Sequence, residues 1–256
     1  MSHINNLVDL AEEAIKISKE RQYLNVKLPE QEPPVVYTEK MIKDLIKHQK
    51  PVDTEISCEV IKSCTVNAAI QYSGQKVVIL NFANGHHPGG GFTIGARAQE
   101  EQICRCSDLY SSLMRCMDDY YVYHSERQDI QDTERIIVSK NYIFKNTNFN
   151  LLEQPVEVIV VTCAAVTAYQ EPNEKRVHLL MKNRISNIMA VVRSLNADVA
   201  ILGAFGCGAF ANDPNFVAQC FKEDVQKKIC CKKNVFAVVS EGQNLAAFKK
   251  VFQGEK

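Results

Sequence analysis

Apolar residues recur at helical spacing near the start of the chain, at Leu7, Leu10, Ala11, Ala14 and Ile15. They do so again at Met41, Ile42, Leu45 and Ile46, behind Thr38, which is placed to cap a helix. Between them QEPPVVY breaks any helix and reads as a connector. The first fifty residues are therefore expected to form a helical extension, peripheral to a main domain spanning 51–256. From about residue 55 the pattern changes. ISCEVIK reads as a strand, with a short helix near TVNAAIQY. VVILNFA, VEVIVVTCAA and ADVAILG are continuous apolar runs, the mark of strands buried on both faces. A long helix is expected from Ala98 to Tyr121, and RIIVSKNYIF reads as a strand or two in a more exposed setting. NEKRVHLLMKNRISNIMAVVRSL is a helix, as is the segment after Asp213, a cap residue with Pro214 in the first turn. NVFAVVS and NLAAFKKVF supply a last strand and helix. This alternation predicts an α/β fold of three layers, α/β/α, around a central mixed sheet, with the N-terminal helical segment added to it.

Composition removes several classes of function. Thirty basic residues balance thirty acidic ones, so no broad nucleic-acid surface is expected. No apolar run approaches the ~20 residues of a membrane span, and the N-terminus is too acidic for a signal peptide. The ten cysteines include no C-x-x-C pair, and His178 is the only histidine in the second half, so neither a metal site nor another cofactor is expected. Free thiols in a reducing, cytoplasmic setting (the nucleus not excluded) fit them best.

Two loops carry the candidate chemistry, and each follows a buried strand and precedes a helix. The first contains Asn84, Gly89, Gly90 and Gly91; the second is GAFGCGAFANDP, with Gly203, Gly206 and Gly208. Ligands bind open α/β sheets outside the carboxyl ends of the strands. Bare amides at helix starts bind phosphate oxygens, so two such loops together suit a diphosphate. Either loop alone serves tight packing equally well. The Walker pattern G-x-x-x-x-G-K-[ST] is absent, and GCGAFA lacks the rest of a dinucleotide fingerprint.

The segment LNFANGHHPGGGFTIGARAQEEQICRCSDLY resembles the microbial-type poly(ADP-ribose) glycohydrolases, a branch of the macrodomain fold. Three glycines, a spacer from Phe92 to Ala98 and Gln-Glu-Glu carry the resemblance, which extends through VVTCAA and GAFGCGAFANDP over roughly residues 55–252. His86 and His87 depart from the small or amide-bearing residues expected before Pro-Gly-Gly-Gly. The resemblance implies a macrodomain-like fold, a partner that is ADP-ribose or an ADP-ribosylated macromolecule, and cleavage at the ribose C1″. It places Asn84 on the distal ribose and Gly89, Gly90 and Gly91 against the diphosphate. Gly206, Cys207, Gly208 and Ala209 would wrap the diphosphate from the other side, with Phe210 against the ribose. Gln99 would orient the acids or the substrate. Glu101 becomes the general acid and Glu100 the anchor of the ribose hydroxyls.

Neighbouring residues on a helix diverge by about 100°, so Glu100 and Glu101 cannot flank one sugar ring as two opposed carboxylates do. One acid must serve the bond and the other the hydroxyls. Complementing the helix dipole is the plain alternative for both. Three functions stay open: hydrolysis of poly- or mono-ADP-ribosylated acceptors, hydrolysis restricted to single-site modifications, and non-catalytic ADP-ribose reading.

Overall fold

The computed structural model describes residues 3–127, 134–239 and 241–254. In chain order the elements are α1 (His3–Glu20), β1 (Gln22–Tyr23), β2 (Val26–Lys27), β3 (Val35–Tyr37), α2 (Glu39–His48), β4 (Ser57–Lys62), α3 (Thr65–Gln71) and β5 (Val77–Ala83). Then come α4 (Gln99–Cys106), α5 (Leu109–Met114), α6 (Tyr123–Ser125), β6 (Ile136–Lys145) and β7 (Leu151–Ala164). The chain closes with α7 (Glu174–Ser194), β8 (Val199–Leu202), α8 (Pro214–Gln226), β9 (Lys233–Val238) and α9 (Gln243–Gln253).

Seven strands make the central sheet in the order β3-β6-β7-β5-β8-β9-β4. The pairs β7–β5, β5–β8, β8–β9 and β9–β4 are parallel, while β3–β6 and β6–β7 are antiparallel. The mixed sheet is thus as expected. Alternate residues of β5 enter different cores: Val77 and Ile79 face α1, α3, α4 and α5, whereas Val78 and Leu80 face α2, α7, α8 and α9. These are the three layers, and the fold is macrodomain-like.

The N-terminal fifty residues are not peripheral. Ala11, Ala14 and Ile17 of α1 lie in the first core, and β3 hydrogen-bonds to β6 as the edge of the main sheet. Arg21 reaches the wholly buried Asp108 at 2.6 Å, and Glu13 pairs with the buried Lys145 at 2.5 Å. Thr38 caps α2 as expected, accepting from the Met41 amide, but Met41 and Ile46 face solvent.

Two further expectations change. The long helix from Ala98 to Tyr121 is broken into α4, α5 and a π-helical turn over Met117–Val122. Ser107 causes the first break: its hydroxyl donates to the Ile103 carbonyl and accepts the Leu109 amide, while its backbone is extended and bridges to Ile143. Asp108 then accepts the Tyr142 amide. The RIIVSKNYIF strand is not exposed; β6 is interior, between β3 and β7. Its polar residues are paired rather than solvated, since Asn141 Nδ2 donates to Asp108 and Ser112, and Ser139 donates to Asn141.

Asp213 caps α8 by accepting the Asn215 amide, with Pro214 in the first turn. All ten cysteines are free thiols. Among the described residues no helix is long and apolar enough to cross a membrane.

Candidate active site

The loop after β5 runs into α4 on one face of the sheet, and the loop after β8 runs into α8 on the other. Neighbouring strands whose loops depart to opposite faces leave a crevice at their carboxyl ends. A cleft of about 700 Å³ lies there. Ala98 and Gln99 at the start of α4 line it, facing Gly206, Gly208, Ala209 and Phe210 of the second loop. The structure thus sets the second loop opposite the start of α4, while Asn84, Gly89, Gly90, Gly91, Glu100 and Glu101 are not among the residues lining this cleft. Cys207 does not line it either: it is half-buried, with its thiol 3.5 Å from the Phe205 carbonyl, and burial pushes that thiol up to about 12.

The glycine run has a specific steric cause. Gly89 and Gly90 have φ of +70° and +58°, a left-handed conformation that costs a residue with a side chain about 1–2 kcal/mol. A Cβ on Gly90 would overlap Oε1 of Glu101. The same oxygen accepts the Gly91 amide at 2.9 Å. The bare backbone of the first loop therefore receives the carboxylate of Glu101 from its own chain. Oε2 of Glu101 is buried and has no hydrogen-bond partner. An acid oxygen kept from water without a partner is costly unless a ligand completes it.

Glu100 reaches the same loop and the end of β5, its Oε2 lying 3.3 Å from where a Cβ on Gly90 would stand. Its Oε2 accepts the Asn84 amide at 2.8 Å and its Oε1 accepts Nδ2 of Asn81 at 3.2 Å. The two acids accept from different donors, yet both carboxylates meet at Gly90 and do not diverge to separate sides. Burial pushes the Glu100 carboxyl from 4.5 up to about 8, against the opposing pull of the Asn84 and Asn81 donors.

Gln99 spends its whole amide on the scaffold. Oε1 accepts the Phe82 amide at 2.8 Å, and Nε2 donates to the Leu80 carbonyl at 2.6 Å and to Thr65 at 3.0 Å. It fixes the start of α4 to the end of β5, and so fixes both acids. The side chain of Asn84 closes its own loop, accepting the amides of His86 and His87. The imidazoles of His86 and His87 lie at the exposed rim, His86 within 3.3 Å of Ser125.

Three supporting residues escaped the sequence reading. Asn81 lies wholly buried in β5, joined to Glu100 and to Thr162 of β7. An asparagine inside VVILNFA was the available signal, since a buried amide must find partners. Asn212 staples the second loop, donating to the carbonyls of Val166 and Gly206. His124 is buried against Tyr120, and its Nδ1 faces the Gly85 carbonyl at 3.1 Å; burial lowers its proton affinity to about 4. No local pattern marks it. Among the described residues no group of His, Cys, Asp or Glu is arranged to hold a metal ion.

Fold and site define a macrodomain-like α/β/α protein with paired helix-start acids beside a two-loop cleft. The family model for the microbial-type PARG catalytic domain, PARG being poly(ADP-ribose) glycohydrolase, matches residues 6–146, and the chain belongs to that family. It is a glycosidase of the PARG type. The chain is similar to the poly(ADP-ribose) glycohydrolase structure from Thermomonospora curvata, with 26% identity over 97% of this chain and 100% of that one, at a TM-score of 0.90. The same enzyme bound to the inhibitor ADP-HPD gives a TM-score of 0.88. The enzyme from Deinococcus radiodurans in complex with ADP-ribose shares 30% identity over 86% of this chain and 94% of that one, at a TM-score of 0.80. No curated protein matches the chain. The similarity reaches further toward the N-terminus than the segment from residue 55 on which the resemblance rested.

Proposed function

We propose that the protein releases ADP-ribose from ADP-ribosylated acceptors, polymer included, by hydrolysing the bond at the ribose C1″. In this reading the loop Gly206, Gly208 and Ala209 holds the diphosphate against the start of α4, while the amides of Gly90 and Gly91, donated to the His87 carbonyl and to Glu101, brace the acid. Phe210 packs on the distal ribose, Asn84 stands at its edge, and Glu100 holds the ribose hydroxyls. Glu101 gives a proton to the leaving oxygen as the C1″–O bond breaks. Water positioned by the diphosphate then adds to the oxocarbenium-like carbon and returns its proton to Glu101.

The observation that carries the reading is the divided environment of the two acids. One oxygen of Glu101 is fixed by Gly91 and the other is buried without a partner. Both oxygens of Glu100 are occupied by donors from β5 and its loop. Positioning one carboxyl with a free oxygen suits proton transfer, and a fully braced neighbour suits holding. Relatives bound to ADP-ribose and to ADP-HPD support the ligand class. The experiment is a comparison of ADP-ribose release from poly(ADP-ribose) with release from substrates carrying one ADP-ribosyl group. Release from polymer supports the reading, and release only from single-site substrates restricts the enzyme to mono-ADP-ribosyl linkages.

A further inference from the structure

The π-helical turn over Met117–Val122 passes directly into α6, and the two together reach the ends of two central strands. Such turns are rare and are found often at functional sites. Tyr120 Oη accepts the Ala164 amide at 3.1 Å, at the carboxyl end of β7. The ring of His124 packs on that of Tyr120, with centroids 4.2 Å apart, and its Nδ1 lies 3.1 Å from the Gly85 carbonyl. Ser125 Oγ stands 3.3 Å from Nδ1 of His86. One short segment thus grips the end of β7 and the loop after β5.

Packing alone does not account for an imidazole at position 124. A carbonyl oxygen can only accept, so the hydrogen is on Nδ1 and His124 is the donor. Burial disfavours the charged ring, and the neutral ring carries an acceptor at Nε2. That nitrogen is buried and has no hydrogen-bond partner. A buried acceptor left unpaired is costly, and phenylalanine would fill much the same volume without it. What phenylalanine lacks is the Nδ1–H.

The group that this hydrogen holds leads to both acids. The peptide between Gly85 and His86 is pinned at each end: its carbonyl by His124, and its N–H by Asn84 Oδ1 at 2.8 Å. The Asn84 amide, one residue back, donates to Oε2 of Glu100 at 2.8 Å. On the other side the His87 carbonyl accepts the Gly90 amide at 2.9 Å, and the Gly91 amide reaches Oε1 of Glu101 at 2.9 Å.

We propose that His124 is a positioning residue for the hydrolysis, its Nδ1–H fixing the Gly85–His86 peptide and, through that turn, the seats of Glu100 and Glu101. It acts through the loop and not on the substrate. The proposal rests on the ADP-ribose hydrolase reading of the site and extends its machinery to an element outside the two loops.

The test measures ADP-ribose release as kcat and KM, together with thermal melting, for the parent, His124→Phe, His124→Asn and His124→Gln. Phenylalanine keeps a ring against Tyr120 and removes the donor. Asparagine gives up the ring but carries an N–H where Nδ1–H stood. Glutamine carries the same amide one carbon too far out. His124→Phe and His124→Gln should each lower kcat by about ten- to a hundredfold, the scale set by small displacements of reacting groups, with KM changed by less than about threefold. His124→Asn should recover kcat to within roughly threefold of the parent, although the cavity it leaves beside Tyr120 lowers its melting temperature. Activity then follows the position of the donor and not the stability, and the two amide variants show this independently of phenylalanine. Parental kcat in His124→Phe or His124→Gln, or a loss carried in KM alone, would overturn the proposal. So would a fall in kcat that tracks melting temperature through the variants and is not recovered by asparagine. A parent that releases no ADP-ribose from polymer or from single-site substrates would instead remove the functional reading beneath it.

Discussion

The Gly91 amide donates to Oε1 of Glu101 at 2.9 Å, which locks the glycine loop and the first turn of α4 into one unit. The adjoining Gly90 leaves no room for a side chain, because a Cβ there would overlap the same carboxylate oxygen. Gly90→Ala should therefore displace Glu101 as well as strain the loop. Displacements of about 1 Å at a reacting group cost on the order of 10²-fold in rate, and turnover should fall by at least that much. Stability should drop by only about 1–2 kcal/mol, the cost of the left-handed conformation. Turnover and thermal melting of the same variant check this, and parental turnover would detach the loop from the acid.

Gln99 ties α4 to the end of β5, so Gln99→Leu should act at a distance from the reacting bond. The Phe82 amide and the Leu80 carbonyl lose their partner. One buried group left unsatisfied costs roughly 1–3 kcal/mol. A lower melting temperature together with lower kcat is expected, since both acids stand on the helix that Gln99 anchors. Loss of ADP-ribose affinity with full stability would instead make Gln99 a direct ligand.

Proton linkage gives stability a defined pH dependence. The Glu100 carboxyl is raised from 4.5 to about 8 in the folded protein. Between these values the folded state binds more protons than the unfolded one, so stability falls as pH rises from about 4.5 to 8. His124 is lowered from 6.5 to about 4, so the unfolded state binds more protons there and stability falls as pH drops through that window. Glu100→Gln should flatten the alkaline limb, gaining on the order of a few kcal/mol relative to the parent at pH 8, while leaving the acid limb in place. Melting curves from pH 4 to 9 decide, and parallel alkaline limbs in variant and parent would contradict the buried, protonated Glu100.

The N-terminal segment is expected to be required for folding. Arg21 neutralises Asp108, which is wholly buried. Removing one partner of such a pair costs about 3–5 kcal/mol, so Arg21→Ala should lower the melting temperature by about 10 °C. A chain lacking the first fifty residues loses β3, α1 and this cation together, and circular dichroism should show it unfolded. A folded, active truncation would restore the boundary near residue 50.

Much of this was legible in the sequence, for reasons that particular residues make plain. The strands β5, β7, β8 and β9 are written as apolar runs because both faces of the sheet are covered. The two loops and the paired acids are local patterns, so their chemistry could be read in order along the chain. The long-range pairings could not. Ser107 and Asp108 look like ordinary helix-surface residues until β6 arrives beside them, and their breaking of the helix depends on Ile143 and Tyr142 more than thirty residues later. Ser139 and Asn141 made β6 look exposed because they are satisfied inside the protein, by each other and by Asp108 elsewhere in the chain.

The central claim is that Glu101 donates the proton that releases ADP-ribose. The most direct measurement pairs ADP-ribose release from poly(ADP-ribose) with ADP-ribose affinity, for the parent and for Glu101→Gln. The variant keeps the shape of the side chain and a group to meet the Gly91 amide, but has no proton to transfer. Release should fall by about 10²–10⁴-fold while affinity changes by less than about tenfold, since the proton is transferred only as the bond breaks. Release at the parental rate by Glu101→Gln would contradict the account.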